Sequence, residues 1–155
     1  MGKISKQKLN KLLKAVSELN TFTAITTEDT TIHLDDIYKL INDSDEIITF
    51  SLLFYNIGVA TTTNAYLEKT KILGPINGSI NDFSIEKNNN LNGKTLSIIS
   101  SIATTEQSEP YLPADFKATL VIKGGKSTIK YAIENQIKLE NVGDTILLNI
   151  SIFFY

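Results

Sequence analysis

The chain has 155 residues, of which 42% are hydrophobic and 21% charged, and its formal net charge is −2. These values are ordinary for one globular domain and exclude a disordered chain. Because the sequence has no cysteine and no arginine, it excludes disulfides, thiolate metal sites and cysteine nucleophiles, and it argues against nucleic-acid recognition other than nonspecific contacts through lysine.

A basic amphipathic helix is predicted over residues 5–19. Its apolar residues fall on one side at about 100° per residue, and lysines occupy the opposite side. Such a helix could dock onto a neighbouring subunit, lie on an anionic membrane or hold nucleic acid inside a shell. It has no aromatic anchor, so docking is favoured over membrane insertion. The residues expected to contact a partner are Leu9, Leu12, Leu13, Val16 and Leu19.

A threonine-rich linker over residues 21–31 and a second short helix over residues 34–42 are predicted next. In that helix Asp35 and Asp36 would lie near the positive N-terminal end. One face would be apolar and would cover the rest of the fold, formed by Leu34, Ile37, Tyr38 and Ile41. We therefore divide the chain into an N-terminal helical arm and linker, residues 1–45, and a β-sandwich domain, residues 46–155.

From residue 47 onward the apolar residues recur at every second position, which is typical of strands. In the last stretch this alternation places five apolar residues on one face and predicts a buried strand. Those residues are Ile146, Leu148, Ile150, Ile152 and Phe154. The spacing of the turn signals predicts about seven or eight strands in an antiparallel β-sandwich, either jelly-roll or Ig-like.

Turn dipeptides predict where consecutive strands pair. Gly74-Pro75 and Asn77-Gly78 mark turns. Asn92-Gly93 predicts a hairpin between residues 83–87 and 95–104, because this dipeptide tolerates the positive φ of a type I′ turn. A two-residue turn at Gly124-Gly125 would pair Leu120 with Ile129, Ala118 with Tyr131 and Phe116 with Ile133, giving one wholly apolar face.

The segment from Asn56 to Asn64 has the pattern N-x-G-x-A-x-x-x-N. It resembles a turn found in Ig-like modules of bacterial surface proteins. The resemblance covers nine residues of the chain and implies a sandwich only.

No motif predicts catalysis, a metal or a cofactor. Residues 125–128, Gly-Lys-Ser-Thr, match the end of a phosphate-binding loop but lack its earlier glycine and a following helix. His33 is the single histidine, and we expect it on the surface or at a cap. The acidic residues 42–46 lack the glycine of a helix-loop-helix calcium site and are expected to form a solvated linker.

Three functions remain open. The leading hypothesis is a non-enzymatic structural protein that oligomerises through the sandwich and the N-terminal helix, as a phage or viral particle component made in the cytoplasm without a signal peptide. Small capsid and capsid-decorating proteins resemble this layout. The alternative is a module that binds a glycan or receptor, and the third is a membrane-active pore-forming toxin. Candidate ligand residues in the loops are Asn77, Asn89 and Tyr111.

Overall fold

The computed structural model describes residues 23–155, and the predicted helix over residues 5–19 lies outside them. Ten strands and two short 3-10 helices, η1 and η2, follow one another along the described chain. Their bounds are β1 Thr23–Glu28, β2 Thr31–Tyr38, β3 Ile47–Phe54, β4 Ala60–Leu67, β5 Thr70–Asn77, β6 Ile80–Lys87, η1 Asn88–Asn90, β7 Thr95–Ala103, η2 Glu106–Tyr111, β8 Ala114–Lys123, β9 Ile129–Leu139 and β10 Thr145–Phe154.

The strands form two sheets. One has six strands in the order β1-β2-β10-β7-β4-β5, and the other has four in the order β6-β3-β8-β9. All neighbouring strands are antiparallel except β2 and β10, which are parallel. The two mostly antiparallel sheets confirm the predicted mainly β sandwich.

One hydrophobic core lies between the inner faces of the two sheets, as expected for a β-sandwich. The prediction for β10 is confirmed, since all five of its alternating apolar residues are buried. They pack in the same cluster as Phe50 of β3 and Leu120 of β8 from the opposite sheet. Eight strands, β3 to β10, follow residue 46, which agrees with the predicted seven or eight.

The predicted helix over residues 34–42 is wrong. Residues 31–38 form β2, which pairs with β1 on one side and with β10 on the other. The inward positions of β2 are Ile32, Leu34, Asp36 and Tyr38, and all four are buried. Because Asp36 interrupts the apolar alternation, the sequence favours a helical period instead. The predicted linker over residues 21–31 likewise contains β1.

The hairpin of β8 and β9 is confirmed, but its register differs from the prediction by two residues. Leu120 lies opposite Tyr131 and Ala118 opposite Ile133, while Ile122 and Ile129 form the last pair before the loop. The loop is therefore longer than two residues. A shift of two preserves the face on which each side chain lies, so the predicted apolar face is still the one that is buried.

The predicted hairpin across Asn92-Gly93 is wrong, because β6 and β7 belong to different sheets. Gly93 has the expected positive φ of 80°, but the chain crosses here from the four-stranded to the six-stranded sheet. Leu91 lies on the crossing and is fully buried, which holds the crossing against the core.

Gly74-Pro75 is not a turn but lies within β5, at the edge of the six-stranded sheet. An edge strand tolerates proline because one side of its backbone has no neighbouring strand. The pairing of β5 with β4 is irregular near this point. Asn77-Gly78 does separate two strands, β5 and β6, and connects the two sheets.

Candidate functional site

The strand registers place the loops of the sandwich at two opposite ends. We call one the Tyr111 end; it comprises residues 29–30, 55–59, 78–79, 104–113 and 140–144. We call the other the Tyr155 end; it comprises residues 39–46, 68–69, 88–94, 124–128 and Tyr155. Of the predicted ligand residues, Tyr111 and Asn77 lie at or beside the Tyr111 end, whereas Asn89 lies at the Tyr155 end.

Three loops of the Tyr111 end are joined by hydrogen bonds. The carbonyl oxygen of Gly58 accepts from the hydroxyls of Thr105, at 2.6 Å, and of Ser108, at 3.1 Å. Thr105 and Ser108 also form a capping box at the start of η2. On the other side, the Thr104 hydroxyl donates to the carbonyl oxygen of Asn141 at 2.6 Å. The loop after β3, η2 and the loop before β10 are thus held as one surface.

The loop before β10 is also closed by its own carboxylate. Oδ2 of Asp144 accepts from the backbone amides of Glu140 and Asn141, each at 2.9 Å. These amides hold the pKa of Asp144 below its ordinary value, because they favour the charged form. The loop therefore has a fixed conformation that presents its tip to solvent.

Four large apolar side chains are exposed at the Tyr111 end. Their exposed fractions are 53% for Tyr55, 58% for Ile57, 53% for Tyr111 and 43% for Val142. Isolated exposed apolar residues are common, but a group of them on one surface is typical of a binding site. We call these four side chains the apolar tip.

The predicted ligand residues differ in their surroundings. Tyr111 belongs to the apolar tip. Asn77 is exposed at the end of β5, and its Oδ1 accepts from the hydroxyl of Thr62 at 3.4 Å. Asn89 is exposed at the opposite end and donates through Nδ2 to Oδ1 of Asp45 at 3.0 Å. One surface cannot include all three.

The Tyr155 end has an open depression of about 320 Å³. Asn88, one of the lining residues, is buried and joins two other loops to its own segment. Its Oδ1 accepts from the amide of Ile41 at 2.8 Å, and its Nδ2 donates to the carbonyls of Glu46 and Gly124 at 2.8 and 3.0 Å. All its side-chain bonds thus go to backbone groups, which indicates a structural role. The lining is mainly polar: Leu40, Ile41, Asn42, Asp43, Asn88, Asn89, Asn92 and Tyr155.

The loop over residues 125–128 does not form a phosphate cradle. The amide of Lys126 donates to the carbonyl of Lys39 at 3.0 Å, and the amide of Gly125 donates to the Tyr38 hydroxyl at 3.0 Å. That hydroxyl in turn donates to the carbonyl of Ser127. Amides that already have protein acceptors are not available to an anion.

His33 is half-buried in β2, opposite Thr26 of β1 and Asn149 of β10. Within residues 23–155, no group of three histidine, aspartate or glutamate side chains has a geometry suited to a metal ion. The same holds for the acidic residues 42–46, which lie between β2 and β3. No helix in the same part of the chain is long and apolar enough to cross a bilayer.

A buried polar pair was not predicted from the sequence. The hydroxyl of Tyr131 in β9 donates to Oδ2 of Asp36 in β2 at 2.6 Å, and Oδ1 of Asp36 accepts from the amide of Ile37 at 2.7 Å. Both side chains are buried, 5% exposed in each case. Burial and then the Asp36 carboxylate raise the pKa of Tyr131 well above its ordinary value. The pair bridges the two sheets.

Replacing Tyr131 with phenylalanine is expected to lower the free energy of unfolding by about 1.5–3 kcal/mol, because a buried carboxylate loses a hydrogen-bond donor.

The raised pKa of Tyr131 also predicts that stability depends on pH. The unfolded tyrosine ionises near pH 10 while the folded one stays neutral, so stability is lost above about pH 10, by up to ~1.4 kcal/mol per pH unit. Urea unfolding at several pH values measures both effects.

The control for this substitution is Tyr111→Phe, which changes an exposed hydroxyl and should stay within about 0.5 kcal/mol of the parent. Tyr131→Phe should also make the alkaline loss of stability less steep. An identical slope in the parent and in Tyr131→Phe would contradict the assigned pair.

Comparisons with protein-family models, curated proteins and solved structures found no match to this chain.

Proposed function

We propose that the protein is a non-enzymatic structural protein that assembles with other copies of itself. The observation that supports this most directly is the apolar tip, four exposed apolar side chains on hydrogen-bonded loops at one end of a rigid sandwich. Removing apolar surface from water stabilises an association by roughly 25 cal/mol per Å² before the entropic cost of binding.

The N-terminal sequence supports assembly independently. Residues 1–20 include five lysines and one acidic residue, together with the predicted stripe of leucine and valine. A stripe of this kind needs an apolar partner. A basic extension before a compact sandwich is also the layout of many small capsid and capsid-decorating proteins, so we propose a phage or viral particle as the setting. This last step is an analogy of architecture.

The assembly proposal is tested in the full-length chain. The double variant Leu12→Glu/Val16→Glu places two charges within the predicted apolar stripe. We expect it to raise the dissociation constant of the oligomer by at least about tenfold, which corresponds to about 1.4 kcal/mol. Light scattering and sedimentation at a series of protein concentrations measure the change.

Gln7→Glu/Asn10→Glu is the matched control, because it adds the same two charges on the predicted polar side of the helix. It should leave the oligomer nearly unchanged. A parent protein that is monomeric at every concentration would overturn the assembly proposal. Equal effects of the two double variants would show that the predicted apolar stripe has no part in assembly.

A second candidate function is binding of a glycan or receptor through the loops. It is favoured by the position of Asn77 and Tyr111, which lie at or beside the same end. In a glycan array or a cell-binding assay, Tyr111→Ala should abolish the signal, whereas Asn89→Ala at the opposite end should not. If the parent protein binds none of the glycans or cell surfaces tested, the assembly proposal is favoured instead.

A further inference from the structure

We propose that the Tyr111 end is the docking site for residues 1–20 of a second copy of this chain. The inference rests on the proposed function and adds to it the surface that receives the N-terminal segment. It makes each contact heterologous, since the segment of one copy meets the sandwich of another. Such contacts close into rings or exchanged dimers, or continue as filaments.

The predicted helix and the apolar tip have complementary apolar side chains. The predicted helix has a stripe of leucine and valine without aromatic residues, which suits an apolar surface of similar width. The apolar tip offers aromatic and branched side chains from three loops: Tyr55 and Ile57 after β3, Tyr111 in η2 and Val142 before β10. Aromatic side chains on rigid supports are the residues that most often dominate binding energies.

The N-terminal segment and the Tyr111 end have charges of opposite sign. The segment has five lysines against one glutamate in residues 1–20. The loops and adjoining strand ends at the Tyr111 end have an excess of acidic side chains over the lysines Lys117 and Lys138. These acidic residues are Asp29, Glu106, Glu109, Asp115, Glu140 and Asp144. The Tyr155 end offers no such contrast, because six lysines stand among its acidic residues: Lys39, Lys69, Lys87, Lys94, Lys123 and Lys126. Opposite charges at the rim of an apolar contact speed association and set its orientation.

The N-terminal segment joins the sandwich near the Tyr155 end. Thr23, the first residue of β1, lies opposite Asp36, and Asp36 lies opposite Ile152 near the Tyr155 end. To reach the Tyr111 end of its own copy, the segment would have to turn back along β1 and run roughly 20 Å, the length of six extended residues. A neighbouring copy can present its Tyr111 end without this reversal. Docking in trans is therefore favoured.

Cysteine cross-linking tests the docking site, because the natural chain has no cysteine. One full-length copy has Ala15→Cys, at the flank of the predicted apolar stripe. The other copy has Gln107→Cys in η2. In the control experiment this second copy has Asn92→Cys at the Tyr155 end instead. Gln107 and Asn92 are both exposed. After mixing and oxidation, we expect a heterodimer of the Ala15→Cys and Gln107→Cys copies, identified by mass spectrometry, and little product with Asn92→Cys.

Charge reversal provides a second readout. Glu106→Lys/Glu109→Lys should raise the dissociation constant of the oligomer by about tenfold or more, while Asp43→Lys/Asp45→Lys at the Tyr155 end should not. Adding Lys11→Glu/Lys14→Glu to the first variant should restore assembly, because the two reversed surfaces are again opposite in sign.

The outcomes separate the two proposals. An oligomer that cross-links equally at both ends, or shows no rescue by the second charge reversal, overturns the docking site and leaves the assembly proposal intact. A monomeric parent protein overturns both. An Ala15→Cys/Gln107→Cys chain that cross-links within itself, while the mixed copies do not, shows docking in cis and overturns the inference.

Discussion

Replacing Gly58 with alanine is expected to lower the free energy of unfolding by about 2–5 kcal/mol. Alanine disfavours the left-handed backbone conformation of this residue, and its Cβ would clash with neighbouring atoms. Gly58 has a φ of 77°. A Cβ at this residue would lie 2.6 Å from the carbonyl carbon of Gln107 and from the amide nitrogen of Ser108. These are backbone atoms of η2 and cannot move aside as a flexible side chain would. Urea unfolding measures the change.

Gly78→Ala is the matched control for this prediction. Gly78 has a similar φ of 84°, but a Cβ there would have no atom within 4 Å. It should therefore show only the conformational cost, about 1–2 kcal/mol. The difference between the two variants isolates the close contact between the loop after β3 and η2. Equal costs would mean that this contact is not tight.

The same pair of variants bears on assembly. If the apolar tip binds a second copy, displacing η2 from the loop after β3 should weaken the oligomer under conditions where Gly58→Ala remains folded. Gly78→Ala should leave the oligomer unchanged, because it does not move η2. A stable fold with unaltered assembly in Gly58→Ala would argue against the Tyr111 end as the contact.

Asn88→Ala is expected to lower the free energy of unfolding by about 2–4 kcal/mol, because two backbone groups lose their hydrogen-bond partner and a third loses one of two. The amide of Ile41 and the carbonyl of Gly124 lose their side-chain partner, whereas the carbonyl of Glu46 keeps a hydrogen bond from the backbone amide of residue 88. These groups belong to the loop after β2 and to the loop between β8 and β9, so the crossing from one sheet to the other loses its anchor. Chemical denaturation measures the loss.

The neighbouring Asn90→Ala serves as the control. Asn90 is exposed and donates one hydrogen bond, 3.2 Å long, to Oε1 of Glu86. An exposed bond of this kind contributes little, within about 0.5 kcal/mol. A cost for Asn88→Ala as small as that for Asn90→Ala would show that water replaces the lost partners and that Asn88 is not the anchor.

The asparagine at position 88 shows why local patterns misjudged this region. In the sequence it begins a run of three asparagines, and such runs are typical of solvent-exposed loops. In the fold it is 1% exposed and its partners are 36 to 47 residues away along the chain. No pattern within one loop contains partners at that distance. The Asn92-Gly93 dipeptide likewise predicts the backbone conformation of Gly93, but it does not determine which strands pair.

The candidate surface was predicted only in part. The aromatic Tyr111 between two prolines stands out in the sequence, and it is exposed at the same end of the sandwich as other apolar residues. Tyr55, Ile57 and Val142 were not singled out, because a single apolar residue in a loop has no distinguishing local pattern. Their grouping depends on hydrogen bonds between loops far apart in the chain, such as those accepted by Gly58.

The sequence alone determined the elements in which one face is wholly apolar. In β10 and in the β8–β9 hairpin, alternation with a period of two can be satisfied only by burial of that face, so composition and spacing suffice. The tertiary structure decided the identity of β2, where Asp36 occupies a core position and accepts a hydrogen bond from Tyr131, 95 residues later. It also decided which loops share an end, since that depends on strand order and on a parallel pairing between strands more than a hundred residues apart.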